Sequence, residues 1–271
     1  MKWGFVGDLQ IPYHDKRAVD LWFKVMKWWK PDALDITGDI DDQLEYSSFS
    51  DGTTDEFFNQ VKKAKQEEGE SDEDFRRRLS PIPFIKENAL GAREFYTRIR
   101  RDNKNCDIHS SLGNHDIRIF KYMDKKAPDY IEQLTPNMLW GLDDLGITWR
   151  HYDLPPLHRF SGVHVHHGAT TTTAGLAVKA DIDNYNISLA RGHDHRGGVV
   201  YKTYPMANTR LVGLGTGHLC DPSAYGLKYT INPSWELGFG VGHVVDGDVS
   251  LQFIPISSDY VCVLDGKIFK G

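Results

Sequence analysis

The sequence predicts an α/β fold, and three observations carry that expectation. The chain opens with an apolar run, a helical stretch and a second apolar run, in strand–helix–strand order. Five apolar runs end in a polar cluster beside glycine, as strands do when their carboxyl ends face a crevice. The later runs follow one another with turn residues and no helix between them, as in an antiparallel sheet.

Trp3–Val6 leads into Gly7-Asp8, and Ala33–Thr37 into Gly38-Asp39. Between them, Ala18, Leu21, Trp22, Val25, Met26 and Trp29 recur at helical spacing over Lys16–Lys30, and Pro31 stops the helix. Such a strand–helix–strand unit pairs its strands in parallel. Asp51–Asn105 is highly charged and broken by Pro81 and Pro83, so it reads as a helical insertion at 51–105 on the surface of one domain, 1–271. Ile108–Leu112 leads into Gly113-Asn114-His115-Asp116. Lys121–Pro156 reads as one or two helices with Pro128 and Pro136 as breakers. Gly162–His166 leads into His167-Gly168, and Ile187–Ala190 into Arg191-Gly192-His193-Asp194-His195. Gly198–Lys202, Arg210–Leu214, Gly240–Val245, Val249–Ile254 and Tyr260–Val263 read as a second, largely antiparallel sheet.

Composition removes several function classes. Hydrophobic residues at 40% and aromatics at 12% of 271 residues support a sizeable core rather than disorder. A formal charge of −6 rules out a uniformly basic nucleic-acid footprint while leaving room for a local one. No apolar run approaches the roughly 20 residues that span a bilayer, and the amino-terminal segment turns polar too early for a signal peptide. Cys106, Cys220 and Cys262 form no CxxC pair and read as reduced core thiols. A cytoplasmic protein with no membrane partner is expected.

The five polar clusters bring carboxylate, amide and imidazole to one end of the predicted sheet. These are ligands for hard and borderline divalent ions. Asp39 has two oxygens with lone pairs to share, so it could bridge two ions. Two ions about 3.5–4 Å apart clamp a phosphate and lower the pKa of bound water. Singly, an Asp, Asn or His after a strand is most often a turn residue or helix cap.

The ordered series Asp8-Leu9-Gln10, Gly38-Asp39-Ile40-Asp41-Asp42, Gly113-Asn114-His115-Asp116, His167-Gly168 and Gly192-His193-Asp194-His195 resembles the calcineurin-like metallophosphoesterases, over residues 3 to 197. Gly113–Arg118 and Trp235–Phe239 resemble a phage-type branch, for which host cytoplasm would be the setting. The resemblance implies a four-layer α/β/β/α sandwich of two mixed sheets. It implies that Asp8, Gln10, Asp39 and His195 hold one metal and that Asp39, Asn114, His167 and His193 hold another. His115 would be the general acid, and a bridging hydroxide the nucleophile. The family has histidine where this chain has Gln10. An amide oxygen is a harder ligand, which favours manganese, with magnesium, iron, zinc or nickel as alternatives. His14 reads as a surface residue or a partner to a ligand, with substitution at that position as the alternative.

Around this core, Arg118 reads equally as a phosphate ligand or a structural salt bridge, Asp116 as an anchor for the His115 loop, and Asp41 and Asp42 as residues that cap or orient the motif loop. Asp194 reads as structural, His166 as a partner to a ligand and His164 as strand filler; His218 and His243 have no motif support. The expected reaction is hydrolysis of a phosphodiester in a nucleotide or nucleic acid. The preference for a diester rests on the phage-type resemblance and on the basic clusters Arg76–Arg78 and Arg98–Arg101. A manganese-dependent pyrophosphatase acting on a nucleotide diphosphate is the alternative, motivated by Gln10. A phosphomonoesterase or a metal-free scaffold stands further off.

Overall fold

A computed structural model describes residues 1–46, 71, 82–126, 128–171, 176–224, 227 and 234–271. The first unit is β1 (Lys2–Val6), α1 (Lys16–Trp29) and β2 (Ala33–Ile36), with β1 and β2 parallel. Asp15 starts α1 by accepting from the Arg17 and Ala18 backbone N–H groups at 3.0 Å each, and Lys30 ends it in the left-handed conformation. α2 (Ile82–Asp102) leads to β3 (Asp107–Ser111). Then come α3 (Arg118–Lys126), α4 (Pro136–Trp140), β4 (Thr148–Arg150), β5 (Leu157–His158), β6 (Val163–Val165), α5 (Ala177–Tyr185) and β7 (Ser188–Arg191). Six strands finish the chain: β8 (Gly197–Tyr204), β9 (Thr209–Thr216), β10 (Gly238–Val245), β11 (Asp248–Pro255), β12 (Val261–Leu264) and β13 (Lys267–Lys270).

The strands form two mixed sheets and a hairpin. The first sheet runs β11-β10-β1-β2-β3-β4, with β1 to β4 parallel and β10 and β11 antiparallel. The second runs β5-β6-β7-β9-β8, with β6, β7 and β9 parallel. Trp3, Phe5, Ala33, Val163, Val165, Ala190, Val212 and Leu214 form the core between the sheets. α1 and α2 cover the outer face of the first sheet, where Trp22, Phe23 and Phe95 pack with Leu34, Ile36 and Ile108. α5 covers the second, with Ile182 and Val178 closing on Gly213 of β9. This is the four-layer α/β/β/α sandwich. Between the sheets, the buried carboxylate of Asp35 accepts from Trp3 Nε1 at 2.6 Å and Arg159 Nε at 3.0 Å, and meets His109 Nδ1 at 3.0 Å.

Three expectations change. The late strands do not make one sheet: β8 and β9 join β6 and β7, whereas β10 and β11 extend the first sheet beyond β1. Alternation shows that a strand exists but not which edge it pairs with. Lys121–Pro156 holds most of α3 and all of α4, the helices expected, but also a strand, β4, and Pro136 opens α4 in its first turn, after the N-cap Thr135, instead of breaking a helix. Of the expected insertion at 51–105, residues 51–70 and 72–81 lie outside the described residues. The remainder is no surface feature, because Ala92, Phe95, Tyr96 and Ile99 of α2 are buried in the main core. α2 is the crossover between β2 and β3; its charged outer face hid an amphipathic helix, and Pro83 falls in its first turn, where no N–H is needed.

Candidate metal centre

Backbone strain marks the site before any side chain is considered. Asp8, Gln10, Asp39, His193 and His195 all have positive φ, between 52° and 77°. Non-glycine residues adopt that region at a cost, and such residues cluster at functional sites. Asp8 and Gln10 follow β1, Asp39 follows β2, Asn114 and His115 follow β3, His167 follows β6, and His193 and His195 follow β7. The parallel strands of both sheets therefore deliver these residues to one crevice. Gly113 and Gly192 are needed there, since a Cβ at either would overlap the Asp39 or the Asp8 carboxylate.

One set of atoms gathers around Asp39. His167 Nε2 lies 3.1 Å from Asp39 Oδ2, 3.0 Å from Asn114 Oδ1 and 3.1 Å from His193 Nδ1. His193 Nδ1 lies 2.8 Å from Asn114 Oδ1. The other ring nitrogen of His167, Nδ1, donates to the Thr37 carbonyl at 2.7 Å. A carbonyl only accepts, so in the neutral ring Nδ1 carries the hydrogen and Nε2 presents a lone pair. Lone pairs of imidazole, carboxylate and amide oxygen thus converge, and a positive charge must sit among them: a cation or a proton. Without a cation the proton takes that place. Burial works against a charged ring, but the Asp39 carboxylate beside it raises the His167 pKa to about 9. Burial likewise opposes the charge on Asp39, and His167 and His115 hold its carboxyl well below the usual range.

The second set lies on the other side of Asp39. His195 Nε2 is 3.2 Å from Asp8 Oδ1, and Asp8 accepts from the His193 backbone N–H at 3.1 Å. Gln10 Nε2 donates to Asp39 Oδ2 at 3.1 Å, while Gln10 Oε1 is buried with no hydrogen-bond partner. An orphaned buried acceptor on an amide that touches the Asp39 carboxylate fits a hard cation. Asp8, Asp39, Asp41, Asp42 and Asp116 are all at most 2% exposed. Burying that much negative charge in one crevice needs compensation beyond the few cationic side chains there. The donor set fits divalent ions.

His115 sits above Asp39. Its Nδ1 pairs with Asp42 Oδ1, its backbone N–H donates to Asp39 Oδ1 at 2.8 Å, and its Nε2 is 3.8 Å from Asp39 Oδ2. Arg118 Nη1 donates to the Asp42 carbonyl at 2.8 Å and its Nη2 lies 3.1 Å from His115 Nε2. Arg118 thus reaches the site but is tied to its neighbours.

Sequence reasoning placed Asp116 well: its carboxylate accepts from the backbone N–H groups of Asp39, Ile40, Asp41 and Gly113 at 2.7–3.0 Å, joining the two loops. Asp194 accepts from Ala177 N at 3.0 Å at the start of α5. His14 pairs its backbone with Cys220, and no described hydrogen bond or ion pair joins its ring to the cluster. Three features carried no signal in the sequence. Asp42, read as a loop cap, orients His115. Fully buried Arg191 pairs with Asp181 at 2.6 Å and donates to the Thr170 carbonyl at 2.7 Å, bracing the loop after His167. His218, at 5.5 Å between ring centroids, stacks on His195, and its Nδ1 meets Cys220 Sγ at 3.1 Å. Only the fold brings these groups to the motif residues.

No family model matches the chain. It is similar to the Gene 54 protein of Mycobacterium phage D29, 24% identical over 98% of this chain and 97% of the relative. The Gene 54 protein of Mycobacterium phage L5 is 23% identical with the same coverage. Among solved structures, Vacuolar Protein Sorting 29 from Cryptosporidium parvum aligns with a TM-score of 0.46 at 14% identity, over 98% of this chain and 93% of that one. YfcE, a phosphoesterase from E. coli, aligns with a TM-score of 0.40 at 13% identity, over 99% and 96%. At those scores the solved structures add nothing about the site. The chain has a four-layer α/β/β/α architecture, and in the order of its site residues it resembles the calcineurin-like metallophosphoesterases.

Proposed function

We propose that this chain is a metal-dependent phosphoesterase that hydrolyses a phosphodiester in a nucleotide or nucleic acid, using two divalent ions, manganese foremost. The observation that carries the reading is the convergence of lone pairs from Asp39, Asn114, His167 and His193. Asp39, Asn114, His167 and His193 would hold one ion, and Asp8, Gln10, Asp39 and His195 the other. Such a pair, when bound, polarises the phosphoryl group and makes water a nucleophile near neutral pH. The chain's own residues do the rest. His115 faces the crevice with Nε2 and gives a proton to the leaving oxygen. Asp42 holds the opposite nitrogen and fixes the ring. Arg118 spans Asp42 and His115, within reach of a phosphate oxygen. A substrate phosphate that draws the guanidinium away from Nε2 frees that nitrogen to hold the proton it donates.

Gln10 supports a second reading, a manganese-dependent nucleotide diphosphate hydrolase, because its unpartnered Oε1 is a hard ligand. Turnover of bis-para-nitrophenyl phosphate, para-nitrophenyl phosphate and ADP-ribose, measured after chelation and again after manganese is restored, separates the readings. Diester hydrolysis that returns with manganese is expected. ADP-ribose turned over at least tenfold faster would favour the second reading, and no metal-dependent turnover of any of the three would sink both.

A further inference from the structure

The surroundings of the cluster narrow the substrate class, an inference that rests on the phosphoesterase reading. The arginines that mark a basic footprint in the sequence are committed elsewhere. Arg98 pairs with Asp20 at 2.6 Å, Arg100 donates to the carbonyls of Leu145, Gly146 and Cys106, and Arg101 pairs with Asp102. Arg76–Arg78 lie outside the described residues.

A second basic row, which no charge run in the sequence advertises, lies on α3. Arg118, Lys121 and Lys125 are spaced i, i+3 and i+7, so they share one face of the helix, while Ile119 on another side is buried. The row begins at the reacting groups, with Arg118 Nη2 3.1 Å from His115 Nε2. Lys121 Nζ sits 5.5 Å from the Tyr152 ring, and that ring is 6.0 Å from the ring of His167, so the second cation stands at the rim of the cluster. At 1.5 Å rise per residue the row extends about 10 Å from its first member to its last. Lys121 and Lys125 are exposed, and neither joins an ion pair among the described residues.

Two ions on the cluster would clamp one phosphate. A monoester or small nucleotide would leave the row unused, whereas a row of cations leading away from the site matches successive phosphates of a polynucleotide. The ligand atoms are recessed, with Asp39 and His167 each 1% exposed, and a flexible strand reaches such a floor where a rigid duplex does not. We propose that α3 is a backbone-tracking subsite and that the substrate is single-stranded nucleic acid, with Lys121 and Lys125 on phosphates beside the scissile one.

The test is binding of a twelve-nucleotide phosphorothioate thymidine strand, which resists cleavage, to the manganese-loaded protein, read by fluorescence anisotropy over a range of salt. Lys121→Gln with Lys125→Gln should weaken binding about tenfold. It should also reduce the slope of log affinity against log salt by about 1.4, from two contacts at about 0.7 each. Lys24→Gln with Lys27→Gln on α1 makes the same change in net charge away from the site and sets the background. In turnover, the ratio of kcat/KM for an ordinary oligonucleotide to that for bis-para-nitrophenyl phosphate should fall about tenfold. Unchanged affinity and slope would overturn the proposal, as would a duplex or a polyglutamate of equal charge binding as tightly as the strand. Hydrolysis of the small diester with no effect of the α3 variant on the strand overturns the subsite alone. Strand binding that depends on α3, without hydrolysis of any phosphate ester, supports the subsite and removes the phosphoesterase reading instead.

Discussion

The His115 ring is held from both sides, by Asp42 at Nδ1 and by Arg118 near Nε2. Asp42→Asn removes the carboxylate that orients the ring while keeping the side chain's size. Hydrolysis of esters with poor leaving groups should drop by about 10²-fold, the lower end of what general acid catalysis contributes. For para-nitrophenolate, which leaves with little proton help, the loss should be small, and metal content should not change. An equal loss for both leaving groups would assign His115 to phosphate positioning. The raised pKa of His167 sets a pH dependence whose sign follows from competition. In the metal-free chain Nε2 holds a proton below about pH 9, and an ion must displace it. Apparent metal affinity should therefore fall as pH drops from 9, by up to about tenfold per pH unit for each proton released; an affinity independent of pH between 6 and 9 would contradict this. Gln10→His should tighten the Asp8 and His195 side of the centre and turn it towards zinc, seen in competition titrations against manganese. At this scale Asp8, Asp39, Asn114, His167 and His193 were legible because each follows a strand with glycine beside it. Asp42 and Arg191 were not, because their partners are brought in by the fold: Asp42 looked like one more loop carboxylate, and Arg191 like the end of a strand.

Two side chains act at the scale of elements. The Asp116 carboxylate takes four backbone N–H groups from the loops after β2 and β3, which together carry Asp39, Asn114 and His115. Asp116→Ala leaves buried donors without acceptors, each costing about 1–3 kcal/mol. A loss of at least about 3 kcal/mol in urea unfolding is expected, with weaker manganese binding; a loss below about 1 kcal/mol would show that water replaces the carboxylate. Arg191→Met leaves Asp181 buried and uncompensated, at a cost of about 3–5 kcal/mol. Adding Asp181→Leu should recover part of that stability, and no recovery would mean that the arginine matters for packing alone. The helices show what periodicity carries and what it does not. α1 was legible from Lys16 to its stop at Pro31, because its apolar stripe is unbroken. α2 was obscured by a charged outer face, and β4 is too short to show an alternating pattern.

For the whole molecule, the sandwich gathers the carboxyl ends of parallel strands from two sheets over one crevice. Asp8, Asp39, Asn114 and His115 come from the first sheet, and His167, His193 and His195 from the second. The architecture was legible from the order of motifs rather than from the strands themselves. Apolar alternation cannot say that β10 and β11 pair beside β1 while β8 and β9 pair beside β7, since that choice is made by faces that meet only on folding. Because the residues proposed to hold the ions come from both sheets, ion binding should couple the sheets and raise the unfolding temperature of the loaded protein. No helix among the described residues is long and apolar enough to cross a membrane. The central claim is that two ions share Asp39, and calorimetric titration of the chelated protein with manganese, beside the Asp39→Asn variant, tests it most directly. Two ions per chain should bind the wild-type protein, with affinity at both sites sharply reduced in the variant. A single site, or two sites of which one is untouched by the substitution, would contradict the shared carboxylate.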